Sequence, residues 1–431
     1  MSDIQTSGRP LSSAEILSTY VARSWRSNAM RQLNKGIEFV IGKRDDIYLW
    51  NLEGTKRVLD CGTAGGVHCL GHRHPEVLAA LKGAIEDGRD TGLWSMPNAE
   101  YLYLQDKLAE LAPSKALNRS VITLSSTTSV DVAIMFAFRF TGRQKIVAYQ
   151  HGYHGHSGFA ALATGSAEEG VIDYYHLPKA HTKFFDNYGD LDEIDRCLTP
   201  DIGALIVELI NYETFEPGSR EFFSALSKLC NERGVLFIVD ETRTGLGRTG
   251  RLWASEHYCI NPDMMITGKG LSGGLYPVSA LLMREDIYEK CMNEHDFAYI
   301  SSLGGNEISC IVANKVLEVA SRPSFLENVV TTSTFLKGEL DKVCAKYHNL
   351  LSPGVTHGGF FTVKISDAAV GPELYREIYE EGILCHSVSV IEPASLKFLP
   401  PLTLDRVGAV EIAEALDRAM QKLKGHGKHH T

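Results

Sequence analysis

Long apolar runs are missing from this chain of 431 residues. Nothing approaches the roughly 18 consecutive apolar residues that would suggest a membrane span. A basic block is missing too. Lysine plus arginine number 43 against 53 aspartates and glutamates, a net charge of −10. Nucleic acid and anionic membrane surfaces both need a positive face and are therefore excluded as partners. The nine cysteines are an odd number, spread from Cys61 to Cys385 without a C-x-x-C pair. That argues against a disulfide framework or a structural zinc site and for reduced thiols. The opening MSDIQTSGRP lacks the basic-then-apolar pattern of a secretion signal. No internal repeat is visible. The expectation is a soluble, cytoplasmic protein.

What is present is a globular composition, 44% hydrophobic and 22% charged. The length suits two or three domains. Residues 10–34 read as helix, with Leu17, Tyr20 and Val21 at helical spacing. The stretch IEFVIGKRDDIYLWNLEGTKRVLDC reads as short strands, and His74-Pro75 opens an amphipathic helix. From about residue 120, apolar runs (VITL, KIVAY, ALIVEL, VLFIVD, MMIT) alternate with helical stretches at 129–142 and 220–234. Uninterrupted apolar strands alternating with helices imply an α/β fold, with a mainly parallel sheet covered on both faces. After about 310 a helix (IVANKVLEVA), a strand (FFTVKI) and a last helix suggest a smaller α+β domain, built from the C-terminus together with the N-terminal segment. The expected division is residues 1–60 as an N-terminal helix and strands, 61–310 as a large domain, and 311–431 as a small one. The terminal KGHGKHHT reads as a frayed tail, with metal binding as the alternative.

Ligands of such sheets sit at the carboxyl ends of the strands. VLFIVD ends in Asp240, and ETRTGLGRTGR follows. This contains Gly245-x-Gly247-x-x-Gly250, but four residues part the strand from the first glycine, and no acidic residue stands at the distance a dinucleotide site needs. A tight turn with Arg248 packed over it is the better reading. MMIT runs into Gly268-Lys269-Gly270. A lysine after a buried strand, between glycines that admit a bulky ligand, can lose its proton and attack carbonyls. Asp240 and Lys269 stand one strand–helix–strand repeat apart and could share a crevice. That pairing suits pyridoxal phosphate, with a lysine to hold the cofactor and an aspartate to keep its ring nitrogen protonated. VITL leads into Ser125-Ser126-Thr127-Thr128 at a helix start, where hydroxyls and free N–H groups can hold a phosphate. KIVAY leads to His151-Gly152-Tyr153-His154-Gly155-His156, which offers aromatic rings; metal ligation there lacks a nearby carboxylate or cysteine.

DETRTGLGRTG, TGKGLSGGLYPVSA, LGHRHPEV, YHGH and LPPL together resemble the class III aminotransferases, of the fold type I group of pyridoxal-phosphate enzymes, over nearly the whole length. The resemblance implies that Lys269 carries the cofactor as a Schiff base and moves the proton, and that Asp240 pairs with the ring nitrogen. It implies that Tyr153 stacks on the ring beside His154, with Thr242 on the opposite side. Ser126 and Thr127 would hold the phosphate and Glu208 would lie near the cofactor. Ser302 would reach the phosphate of a neighbouring subunit, implying a homodimer. Several positions depart from the pattern: Arg243 stands where glutamine is common, and Lys397 where many members carry a carboxylate-binding arginine. No arginine lies between Arg376 and Arg406. Glu213 matches a glutamate that in some relatives pairs with that arginine, so a Glu213–Lys397 charge pair is expected. The expected function is an aminotransferase acting on an amine or amino-sugar donor and a carbonyl acceptor, of the kind found in antibiotic assembly. An intramolecular aminomutase and an inactive regulatory relative are the alternatives.

Overall fold

A seven-stranded sheet carries the centre of the chain. Its order is Arg119–Thr123, Ser279–Met283, Met264–Thr267, Leu236–Asp240, Ile202–Val207, Lys145–Tyr149 and Thr182–Phe185. The computed structural model describes residues 11–23, 33, 35–93, 95–165, 171–174, 176–211, 213–295, 298–389 and 394–426. Ser279–Met283 runs antiparallel to both neighbours, and the remaining pairs are parallel. The central strands are apolar throughout because both faces are covered. Ala204, Ile206 and Ile238 join the core cluster beneath helix Ser126–Thr141. Leu205, Val207, Phe237 and Val239 join the opposite cluster beneath helix Arg220–Arg233.

Both helices have the ends their sequences call for. Ser125 and Ser219 accept from Thr128 N and Phe222 N, and each helix stops at a left-handed glycine, Gly142 or Gly234. The helix read at 10–34 is described over Ser13–Arg23; its continuation through 24–32, and the tail beyond 426, lie outside the described residues.

The smaller unit is assembled from both ends of the chain. Ile41–Asp45, Tyr48–Asn51 and Arg57–Cys61 form one sheet with Ile383–Cys385, which pairs parallel to Arg57–Cys61. A second sheet has the order Leu351–His357, Phe360–Ile365, Ser395–Phe398, Ser387–Ser389. Ile47, Leu49, Val58 and Leu59 share a core with Leu336, Ile378 and Leu416, so residues 37–61 pack with the C-terminal part. Helix Glu307–Ala320 packs differently from the expected division at 310. Its Val312, Val316 and Leu317 are buried with Val77, Leu104 and Leu108 of helices Pro75–Glu86 and Ala99–Leu111 in the larger unit.

The glycine-rich stretch after Asp240 is the expected tight turn, with Leu246, Gly247 and Gly250 at φ 57°, 91° and 82°. Arg248 is buried. Its Nη1 donates to the carbonyls of Gly359 and Pro400 and so ties the larger unit to the smaller.

Candidate active site

The carboxyl ends of five strands open on one cavity of about 510 Å³, within the range of small-molecule sites. Asp240 ends its strand, Glu208 follows Ile202–Val207 by one residue, and Lys269 follows Met264–Thr267 by two. Ser126 and Thr127 begin a helix one turn past Arg119–Thr123, and Tyr153 and His154 lie in the loop after Lys145–Tyr149. All seven line the cavity, together with Thr242 and Arg243.

Lys269 is held at φ 44°, a conformation that costs a non-glycine residue on the order of 1–3 kcal/mol. Burial, and then the Arg243 charge, push its amine down to about 7, against the opposing pull of Glu208 and Asp240. The space beside it is open: within 4 Å, a side chain at Gly65 would meet only Lys269 Nζ, at 3.7 Å. Gly268 is needed for a different reason, since a Cβ there would collide with the hydroxyls of Ser126 and Ser279.

Asp240 is the fixed anion. Burial alone would raise its carboxyl, but the hydrogen bond and charge of His154, together with Thr242, outweigh this and hold it below the usual range. His154 Nδ1 lies 2.8 Å from Asp240 Oδ2, and Thr242 N donates to Asp240 Oδ1 at 3.0 Å. Glu208 moves the other way. Burial raises its carboxyl even though His154 and Arg243 pull it down, and its Oε2 accepts from Tyr153 N at 3.0 Å.

Three expected residues lie elsewhere. Ser302 is exposed and lines a second cavity of about 490 Å³ with Leu93, Tyr101 and Ile300. Lys397 is buried on strand Ser395–Phe398, its ammonium 5.8 Å from the Phe215 ring centroid. The expected Glu213–Lys397 pair does not form among the described residues. Asn211 Oδ1 accepts from Glu213 N and Thr214 N, a local turn that carries the Glu213 carboxylate to 3.9 Å from His151 Nδ1. The histidines of HGYHGH diverge: His151 faces Asp186, His154 faces Asp240, and His156 lies against Tyr153.

Arg243 and His68 line the cavity without a role in the sequence reading. Arg243 shows as a departure from glutamine, and a cation three residues past a strand-end aspartate is a usable signal. His68 has none. It reaches the wall through the loop that follows Arg57–Cys61, and its ring stacks on His72, whose Nε2 lies 2.9 Å from Asp60 Oδ2.

The residues present fit pyridoxal phosphate. A buried lysine of lowered pKa and a buried ionised aspartate face one cavity, and a helix N-terminus with two hydroxyls opens on it. His154 Nε2 is buried without a hydrogen-bond partner among the described residues, so the cavity wall carries an unmet polar demand.

Comparison with known proteins gives the class and then the family. The chain resembles the solved ornithine aminotransferase of Toxoplasma gondii, with a TM-score of 0.83 at 21% identity over 97% of each chain. A transaminase of the marine bacterium Virgibacillus matches with a TM-score of 0.83 at 21% identity, over 92% of this chain and 96% of that one. The fold is thus that of the fold type I pyridoxal-phosphate transaminases. A family model of class-III aminotransferases matches residues 30–420. An aminotransferase of Archaeoglobus fulgidus, described as uncharacterized, is 37% identical over 387 residues, 90% of this chain and 89% of that one. Acetylornithine aminotransferase of Streptococcus mutans is 28% identical over 371 residues, 86% and 92% of the two chains. The chain belongs to the class-III aminotransferase family and is a pyridoxal-phosphate-dependent transaminase.

The lysine pKa sets a pH dependence. Only the neutral amine attacks a carbonyl, and an exposed lysine reaches that form near pH 10.4. Capture of pyridoxal phosphate by the cofactor-free enzyme should therefore accelerate up to about pH 7 and then level off. Stopped-flow absorbance reads this directly; a rate still climbing at pH 9 would show that Lys269 is not depressed.

Proposed function

We propose that this cavity moves an amino group from an amine donor to a carbonyl acceptor in two half-reactions, with Lys269 as the attachment and proton-moving residue. The observation that carries the reading is that Lys269 and Asp240 lie at the ends of adjacent strands in one cavity, with the lysine close to neutral at physiological pH. When bound, pyridoxal phosphate supplies a carbonyl for the amine and a ring that accepts the electron pair released at the substrate carbon. Asp240, whose carboxylate His154 orients, would present a fixed negative charge to the ring nitrogen. Tyr153 and Thr242 line the cavity and would flank the ring. Ser126 and Thr127, with the first amides of helix Ser126–Thr141, would hold the phosphate. Lys269 Nζ would take and return the proton at the substrate carbon.

The expectation of an amine or amino sugar rested on the weak carboxylate site at Lys397 together with the acidic surface. Arg243 brings a guanidinium to the cavity from another element, so the first of these premises lapses. Relatives named for acetylornithine favour a small amino-acid-like donor.

Mixing the enzyme with a good donor and no acceptor should release one equivalent of carbonyl product per site and then stop. Steady conversion of that donor to an isomeric amine would mean an intramolecular shift instead.

Ser302 sits in an exposed apolar surface with Leu93, Met96, Ile300 and Leu303, a surface that suits a second copy of the chain. In the proposed homodimer Ser302 of each copy completes the partner's phosphate site. Cofactor affinity should then fall on dilution to the monomer, by mass action. A stable monomer with undiminished affinity in equilibrium dialysis would rule this out.

A further inference from the structure

We propose that Arg243 receives a carboxylate of the amine substrate, a task the family resemblance would give to an arginine at the position of Lys397. The inference rests on the transaminase reading above and names a substrate class for it: amines that carry a carboxylate.

The first argument is placement. Arg243 lies three residues past Asp240 and lines the same cavity as Lys269, whereas Lys397 is not among the lining residues. The loop that carries Arg243 is anchored by its buried neighbour Glu241, whose carboxylate accepts from Ala254 N, Ser255 N, Ser255 Oγ and Thr244 Oγ1. A cation so held is preorganised, and little is lost in orienting it for a ligand.

The second is permanence of charge. Lys269 is pushed down to about 7 by burial and then by Arg243, and His386 to about 3 by the same two causes in the same order. Their positive charge is lost or weak at neutral pH. A guanidinium keeps its charge. Arg243 therefore leaves a lasting positive field beside the reacting amine, where a donor's anionic end would sit.

The third is the wall around it. The Arg243 guanidinium lies 5.2 Å from the Phe215 ring centroid and 5.9 Å from that of Phe360. Phe215 is fully buried at φ 62°, a rare conformation for a bulky residue, and both Arg243 and Lys397 lie within 6 Å of its ring centroid. Aromatic flanks keep water from the planar group and strengthen its attraction for an anion. The guanidinium fork matches a carboxylate at two points, as the Lys397 ammonium cannot.

The test uses cofactor-loaded enzyme and two readouts. The first is binding of butyrate, followed by calorimetry. Arg243→Gln should weaken it at least tenfold, and Arg243→Lys should fall between the two. The second compares matched donors: β-alanine with ethylamine, 4-aminobutyrate with propylamine, and ornithine with 1,4-diaminobutane. The wild type should convert at least one acid, and the acid-to-amine ratio of kcat/KM should drop at least thirtyfold in Arg243→Gln. Unchanged butyrate binding, an unchanged ratio, or a wild type that converts none of the acids overturns the inference. A changed cofactor absorbance with unchanged butyrate binding would assign Arg243 to the cofactor instead, which also overturns it. Borohydride trapping reports separately on the transaminase reading: without cofactor fixed to Lys269 that reading fails, whatever butyrate does.

Discussion

Lys269→Ala is expected to abolish amino-group transfer, a loss of at least about 10⁴-fold, because attachment and proton movement depend on the same amine. The variant should still take up pyridoxal phosphate through Ser126, Thr127 and Asp240, more weakly and reversibly. Wild-type protein treated with borohydride should carry the cofactor on the peptide containing Lys269, and the variant should carry none; attachment to another lysine would end the assignment. The cofactor-free form gives an independent check. A lysine at about 7 in the fold and near 10.4 when unfolded binds fewer protons in the native state across that window. Its burial penalty is therefore full below pH 7 and fades toward pH 10. Cofactor-free Lys269→Ala should melt above the wild type at neutral pH, and the gap should close as the pH rises. A gap that does not narrow would mean that the amine is charged and satisfied.

Asp240→Asn carries the second large effect. It keeps the shape of the side chain and removes the charge that faces His154 and the cavity. Turnover should fall by about 10²–10⁴-fold, the range for loss of a positioned proton-controlling group. Cofactor attachment to Lys269 should persist, because the phosphate and lysine contacts remain. Single-turnover absorbance separates the two: attachment intact with slow transfer is the expected result. Activity within threefold of the wild type would show that Asp240 only braces His154.

Much of this was legible in the sequence, for a physical reason. A strand covered on both faces must be apolar throughout, so VLFIVD and MMIT announce themselves, and whatever follows them stands at the ligand edge of the sheet. Asp240, Lys269, Ser126, Thr127 and Tyr153 could be found by that rule alone. Strands that break the rule were missed. Ser279–Met283 is antiparallel and follows a glycine-rich block, while Thr182–Phe185 is a half-exposed edge strand with two polar residues among its four.

The chain by itself determined the strand-end positions of Asp240 and Lys269, the cofactor and the family, because these depend on which residue types follow which strands. Only the tertiary structure decided the surroundings. It set Arg243 against Phe215 and Phe360, brought His68 to the wall, and turned Glu213 to His151 instead of Lys397. It also packed Glu307–Ala320 into the larger unit. Each of these rests on contacts between segments far apart in sequence, and residue spacing cannot state such contacts. A side chain's partner is set by the turn that aims it, as Asn211 aims Glu213.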